Sequence, residues 1–408
     1  MTSSDEAKCP MREYPFESDR PLAPPAEWAE LRETCPVADV RLVSGDTAVV
    51  LTRYDDVKTV LADPRFTRQL DREQGAARIS TQESGGIFEQ ADPERNAIAS
   101  GEGHRRWRRL LNRSFTAKRV NSMRPGMTAI ANSLVDELVA GPRPPDIIAG
   151  FGFPLPVRVI CELLGVPAQD WPRFAYWSDT MLSTTRYTDA EIQAAQLEFA
   201  QYIDAHIERC RQQPGDDLIS ELIAISDTGE GLSHGELQLT AMGLLVAGHE
   251  TTASMIGKML AILLADRSQW EALLADRALV RTAVEEVLRF DPNPGFGLPR
   301  FVTEDLELGE TSIAAGTTVL TTMAANRDPR AFDNADQLDL ARSPNPHLSF
   351  GVGPHSCLGQ ALARTELQVT LEVLLERLPG LRLAVPVEQL ERRTGLLVGG
   401  FVTLPVEW

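Results

Sequence analysis

The spacing of apolar residues predicts a mainly α fold with a minor β portion, on three observations. Helical periodicity dominates residues 101–291, and no proline interrupts the chain between Pro214 and Pro292. β-prone segments are few and short, chiefly "TAVVLT" (47–52) and "LELGETSIAAGTTVL" (306–320). One run, "LQLTAMGLLVAGHETTASMIGKMLAILLA" (237–265), has the length of a membrane span but carries His249, Glu250, Thr251, Thr252 and Lys258 inside it. Such groups are costly in the middle of a bilayer, so the run predicts a buried helix in a protein core.

Taken in order, "PPAEWAELRE" (24–33) predicts a first helix, "TAVVLT" a strand and "YDDVKTVLADP" (54–64) a second helix. Residues 66–100 carry few large apolar groups and many Gly, Gln, Glu and Asp, which predicts a long irregular loop of the kind that usually has a function. The helical stretch follows. After "FDPNPGFGLP" (290–299) come short β-prone pieces, an irregular region to Gly359, and a helix over "QALARTELQVTLEVLLERLP" (360–379). The end, "GLLVGGFVTLPVEW" (395–408), predicts a hairpin around Gly399 and Gly400. No linker composition separates folding units, so one domain over 1–408 is expected, and 43% hydrophobic residues are ample for its core.

The chain carries 40 Lys and Arg against 58 Asp and Glu, a net charge of −18, which excludes a dedicated nucleic-acid binder. The N-terminal "MTSSDEAKCPMREYPFESDRPLAPP" has neither a basic start nor an apolar run, so no leader or membrane anchor is expected and the protein is read as cytoplasmic. Cys9, Cys35, Cys161, Cys210 and Cys357 are scattered without a CxxC pair, which predicts reduced thiols rather than disulfides or a zinc cluster. Against this acidic background "GHRRWRRLLNRSFTAKR" (103–119) holds seven Lys or Arg and no acid. Such an island is either a solvated helix face or a site for an anionic group.

The strongest chemical signal is "FGVGPHSCLG" (350–359), which sets Cys357 after a Gly-rich turn and ahead of a helix, where backbone N–H groups and the helix dipole favour a thiolate. The order Phe350, Gly351, Gly353, His355, Cys357, Gly359 closely resembles the haem-binding segment of the cytochrome P-450 superfamily, and every position of that pattern is matched. The resemblance implies the triangular helical prism of that family and haem b with the Cys357 thiolate as axial ligand. It also places Phe350 near the sulfur. Thiolate ligation pushes electron density toward the iron and favours O–O cleavage.

Further segments of the family follow in order. "AGHETT" (247–252) is similar to the oxygen-activation segment, with Glu250 and Thr251 as the acid and alcohol that deliver protons. Ala247 and Gly248 would lie beside the cofactor, Gly248 making room for a ligand and allowing a local distortion of the helix, and His249 falls at a variable position. Glu286 and Arg289 of "EEVLR", one helical turn apart, correspond to a buried pair that joins a later arginine, here Arg342, to brace the cysteine loop. His104 and Arg108 match an HxxxR that contacts a haem propionate, and Arg300 and His355 match further propionate-binding positions. "SGEGH" (100–104) departs from the family's usual lead-in to that helix.

Propionates cannot use the whole island. The resemblance therefore implies a second use for its outer face, in which Arg105, Arg106 and Arg109 steer an acidic ferredoxin, since no sequence remains for a fused flavin domain. The expected function is monooxygenation of a mid-sized secondary-metabolite intermediate by a monomer using O2 and two electrons from ferredoxin. Oxidative aryl or indole coupling without oxygen insertion, for example of cyclic dipeptides, is an alternative that motifs do not separate. A non-catalytic haem sensor is a second alternative, and the intact acid and alcohol argue against both it and a peroxide-driven enzyme. By family geometry the substrate pocket draws on the 69–100 loop with Gln69 and Phe88, on residues 176–187, on Leu244, on Gly295 and Phe296, and on Val398 to Phe401.

Overall fold

The computed structural model describes residues 9–70, 72–81, 97–229, 231–292, 295–309 and 311–408. The first part is a small sheet with two helices: β1 (Arg12–Glu13), α1 (Glu27–Thr34), β2 (Val37–Arg41), β3 (Thr47–Leu51), α2 (Tyr54–Ala62) and β4 (Phe66–Thr67). A helical body follows, with α3 (Gly101–Asn112), α4 (Ala117–Ala140), α5 (Pro154–Leu164), α6 (Trp171–Met181), α7 (Asp189–Gln212), α8 (Leu218–Ser226), α9 (His234–Ala265), α10 (Arg267–Ala275) and α11 (Val280–Arg289). The chain then returns to the sheet through β5 (Leu298–Val302) and β8 (Thr318–Thr321), between which β6 (Leu306–Leu308) and β7 (Thr311–Ile313) pair as a separate two-stranded sheet. It ends with α12 (Gln360–Arg377), β9 (Arg382–Leu383) and β10 (Val406–Glu407).

The apolar run forms α9, the axis of the body. Its start is set by a capping box: Ser233 Oγ accepts from the Glu236 N–H at 3.0 Å, and the Glu236 carboxylate accepts from the Ser233 N–H at 2.9 Å. A helix apolar on every side must be covered on every side. α5, α6, α7, α10, α11 and α12 all pack on it. Between Thr240 and Leu264 the residues that stay open are Gly243, Leu244, Ala247, Gly248 and Thr251, one stripe at helical spacing. Among the described residues no helix is long and apolar enough to cross a membrane.

The main sheet has the order β1-β2-β3-β8-β5-β4. β2 and β3 are antiparallel, β3 and β8 parallel, and β5 runs antiparallel to β8 with Arg300 opposite Val319. A second apolar cluster, built on Leu51, Tyr54, Val57, Val302, Val319 and Leu348, fills the space between this sheet and α2.

Two sequence expectations are corrected. Cys9 and Cys35 form a disulfide, while Cys161, Cys210 and Cys357 remain thiols. The cause is the pairing of β1 with β2, which carries the N-terminal segment alongside the end of α1 and sets the two Cα atoms 6.2 Å apart, within reach of a bridge. The hairpin expected to turn at Gly399 and Gly400 turns earlier. The Arg393 N–H donates to Gly400 O at 2.9 Å and the Val402 N–H to Glu391 O at 2.9 Å, so the reversal lies within 394–399, and β10 pairs with β9 instead. The glycines serve close approach: Ser254 Oγ of α9 donates to Gly399 O, and a Cβ at Gly400 would lie 2.9 Å from that hydroxyl.

Candidate active site

Cys357 sits three residues before α12, in a loop held by its own backbone: the Cys357 N–H donates to Phe350 O at 2.7 Å, and the Gly351 N–H to Leu348 O at 2.7 Å. Gly351 and Gly353 have φ of +63° and +76°, the left-handed region that glycine enters without a Cβ penalty. At Gly353 a Cβ would also meet Ala62 Cα at 2.8 Å, so this turn is pressed onto the backbone of α2. The Cys357 side chain is open to water, yet the protein around it is dense enough that burial pushes the thiol pKa up. The Gly359 N–H, Arg108 and Arg364 oppose that rise by favouring the thiolate. Phe350 is stacked under the Arg364 guanidinium, 4.3 Å from the ring centroid.

A nest of cations and imidazoles lies beside the cysteine. His104 and His355 have ring centroids 4.1 Å apart, and Arg108 Nη2 donates to Ser356 Oγ at 3.4 Å. Burial, with Arg68 and Arg108 adding repulsion, pushes His104 down to about 4. Burial, then His104, Arg68, Arg300 and Arg108, push His355 down to about 3. Arg300 falls to about 9 through burial and the Arg68 charge. Among the described residues no carboxylate pairs with His104, Arg108, Arg300 or His355, and His355 Nδ1 is buried without a partner. Side chains that repel one another this strongly fit a bound group that brings its own anions. The four side chains matched to haem propionates are thus brought together beside the matched thiolate. The sequence reading missed a further cation, Arg68, although it singled out the adjacent Gln69.

On α9, Glu250 and Thr251 do not bond to each other. Thr251 is open and its Oγ donates to Ala247 O at 2.8 Å. Glu250 is buried and held by Arg393, whose other nitrogen binds Asp179 at the end of α6. Neither Arg393 nor Asp179 carried any motif. His249 is buried, with Nδ1 2.6 Å from Leu245 O and its ring edge-on to Phe153, which makes it a packing residue. At Gly248 the expected local distortion of the helix is absent. α9 is continuous through it, and a Cβ there would lie 2.8 Å from Ile160 Cδ1, so the missing side chain lets α5 approach.

The pocket segments meet at the edge of α9. The Phe296 N–H donates to Leu397 O at 3.1 Å, the Leu397 N–H to Leu182 O at 2.8 Å, and the Thr184 N–H to Gly395 O at 2.8 Å. Phe296 and Phe401 are buried, Leu244 and Val398 half-buried, and a Cβ at Gly295 would strike Leu397 O at 2.4 Å. Gln69 is half-buried, its N–H donating to Thr67 Oγ at 3.2 Å, and Phe88 lies outside the described residues.

The expected ion network is present and saturated. Glu286 and Arg289 are 0% and 1% exposed. Glu286 accepts from Arg289 at 2.7 and 2.8 Å, from Arg342 at 3.0 Å, from Asn345 at 3.0 Å and from the Asp339 N–H at 2.9 Å. Arg289 donates its remaining hydrogens to the carbonyls of Asn326, Ala335 and Gln337. The neighbouring Glu285 reaches the cysteine loop and α12 through His347 at 3.1 Å and Arg364 at 2.8 Å. Burial raises its pKa, but those two partners outweigh burial and bring it down to about 2.

The basic island divides differently from expectation. Arg105 and Arg109 are exposed and paired with Glu102. Arg106 is turned inward: it binds Glu236, the carboxylate that caps α9, and donates to Gly231 O at 2.6 Å. Trp107 adds a bond to Thr240 Oγ at 2.9 Å, so this edge of α3 anchors the start of α9, with Arg106 half-buried and committed to Glu236.

A helical body around one apolar axis, with an open cysteine beside Arg108 and Arg300, which pair with no carboxylate among the described residues, defines the class: a protein that takes a carboxylate-bearing prosthetic group through a thiolate. The model of the Cytochrome P450 family matches residues 157–379, and the chain belongs to that family. It is 44% identical over 412 residues to the mycinamicin IV hydroxylase/epoxidase of Micromonospora griseorubida, covering 100% of each chain. It is 43% identical to the nocardicin C N-oxygenase of Nocardia uniformis subsp. tsuyamanensis, over 97% of this chain and 98% of that one. The crystal structure of a candidate thioether synthase in the tailoring step of griseoviridin superposes with a TM-score of 0.91 at 39% identity, over 98% of this chain and 100% of that one. The protein is accordingly a monooxygenase-type oxidoreductase whose cofactor is haem b, with the Cys357 thiolate as axial ligand.

Proposed function

We propose that the chain, acting as one domain over 1–408 and as a cytoplasmic monomer, oxygenates a mid-sized secondary-metabolite intermediate with O2 and two electrons from an acidic ferredoxin. The observation that carries the reading is the nest beside Cys357, where among the described residues no carboxylate pairs with His104, Arg108, Arg300 or His355. His104, Arg108, Arg300 and His355, joined by Arg68, would hold the haem carboxylates, and Arg suits that geometry. The haem, when bound, supplies the activation of dioxygen that no side chain provides. The protein's part is then to bind, orient and deliver protons. Leu244, Ala247 and Gly248 give an apolar floor that keeps bulk water away. Thr251 presents the open hydroxyl of the stripe, and Glu250, one residue earlier, is the nearest acid in sequence to resupply its proton. Phe296, Val398 and Phe401 shape the rim, and Arg105 and Arg109 offer exposed charge to an acidic donor.

A specific finding keeps a second outcome in view: one structural neighbour is named for thioether formation, a coupling, while the two sequence relatives are named for oxygen insertion. Turnover with ferredoxin, its reductase and heavy-isotope dioxygen separates the two, with a panel of macrolide and peptide intermediates as probes. A product gaining one labelled oxygen supports oxygenation. A product that has lost hydrogens without gaining label assigns the chain to coupling instead.

A further inference from the structure

Arg393 is the one guanidinium among the described residues that joins the α9 acid to the cover of the pocket. It leaves the C-terminal turn and binds Glu250 through Nη1 and Asp179 through Nη2. Arg186, in the seven-residue connection 182–188 between α6 and α7, reaches the other Asp179 oxygen at 3.3 Å. The same connection is stitched by backbone to the turn that bears Arg393: Leu397 N–H to Leu182 O at 2.8 Å, Thr184 N–H to Gly395 O at 2.8 Å, and Thr185 N–H to Gly395 O at 3.3 Å. On its far side the Thr81 N–H donates to Thr184 O at 3.1 Å. The groups facing Glu250 are therefore Arg393, with His249 Nε2 at 3.9 Å. Those facing Asp179 are Arg393, Arg186, Tyr187 and, through its charge, Glu250 on the far side of the shared guanidinium.

We propose that Arg393 is a positioning residue for the site acid. Its forked guanidinium fixes the orientation of Glu250 while the 182–188 connection is closed on the 394–398 turn, and leaves Glu250 on a singly anchored, more mobile arginine when the connection opens to admit a substrate. An Arg suits this role because one planar group can serve two carboxylates at once, which a lysine cannot do with the same geometry. A connection that lifts away takes Asp179 with the end of α6 and breaks the backbone bonds around Gly395. The forked bridge then loses one of its two anchors. The assignment rests on the functional reading above only in treating Glu250 as the site acid.

Linkage makes the inference testable from both ends: if the cover biases Glu250, then Glu250 must bias the cover by the same factor. The haem-loaded protein is compared with Glu250→Gln, Asp179→Asn and Arg393→Lys, with Arg158→Gln as a control that breaks only the exposed pair to Glu137. Glu250→Gln should speed amide hydrogen exchange in 182–188 by about five-fold or more. Asp179→Asn, which touches no group on the open stripe, should shift or split the infrared C–O stretch of the reduced protein with carbon monoxide as probe. Arg393→Lys should keep the parent melting temperature yet show both changes, which a merely structural arginine would not. Exchange within two-fold of the parent in Glu250→Gln, or an unmoved C–O band in Asp179→Asn, overturns the proposal. Failure of the parent itself to give a thiolate-type carbon monoxide spectrum would instead strike the functional reading and leave the exchange test standing.

Discussion

Two charged regions flank the cysteine loop, and they are built on opposite principles. Around Glu286 and Arg289 every charge is matched: the carboxylate accepts from two arginines, an asparagine and a backbone N–H, and Arg289 spends its other hydrogens on three carbonyls. Around His104, Arg108, Arg300 and His355 two guanidiniums and two imidazoles crowd together with no carboxylate paired to them among the described residues, and burial drives their pKa values down. A saturated buried network has no capacity left for a ligand and holds the loop in shape. An unsaturated one is stable only when something else completes it. The difference separates scaffold from site without reference to any motif.

Glu286→Gln breaks the saturated side and should have the largest effect. It leaves Arg289 and Arg342 facing a neutral amide, which should cost about 3–5 kcal/mol in denaturant unfolding. The unsaturated side should respond in the reverse sense. Arg300→Leu removes an unmatched cation, so the haem-free chain should unfold within about 1 kcal/mol of the parent or later. Haem dissociation from the loaded variant should accelerate by about thirty-fold or more, reflecting the loss of roughly 2 kcal/mol or more of charge-assisted contact.

The regions should also separate by pH. His104 falls from 6.5 to about 4 in the folded chain, so the unfolded chain binds its proton first as pH falls through that window, and folding stability drops there. Glu285 falls from 4.5 to about 2, so the stability it adds is present above 4.5 and lost toward 2. Denaturation midpoints taken from pH 7 down to 3 should show both losses in the haem-free chain. Haem loading should flatten the upper window most, since bound carboxylates favour a charged His104 and His355, and His104→Gln should make it shallower without haem while His355 still contributes there. The smallest effect is on the surface: Arg105→Gln with Arg109→Gln should change stability by under about 1 kcal/mol, yet slow reduction by an acidic ferredoxin most at low salt.

Much of this was legible in the sequence. Periodicity placed α1, α2, α9 and α12 because each buries a face or a whole surface, and that leaves a trace in residue spacing. The Cys357 loop and the Glu286–Arg289 pair were legible through their resemblance to segments of the family; the i, i+3 spacing of the pair would not have marked it unaided. What was not legible depends on distant chain segments meeting. Arg393 and Asp179 lie 214 residues apart, and nothing local marks either. Arg106 looked like surface charge until α9 brought Glu236 to it. Gly248 and Gly400 were legible as glycines but not as to their neighbours, which proved to be Ile160 and Ser254. The Cys9–Cys35 bridge follows from a β1–β2 pairing of two residues, too short to leave a pattern.

The central claim is that Cys357 and the nest beside it form one site for a thiolate-ligated haem. Its most direct test is the absorption spectrum of the dithionite-reduced, carbon-monoxide-bound protein, recorded for the parent and for Cys357→Ala. The account predicts a strongly red-shifted Soret band in the parent that is absent from the variant. The same band in both proteins, or no haem uptake by a folded parent, would contradict it.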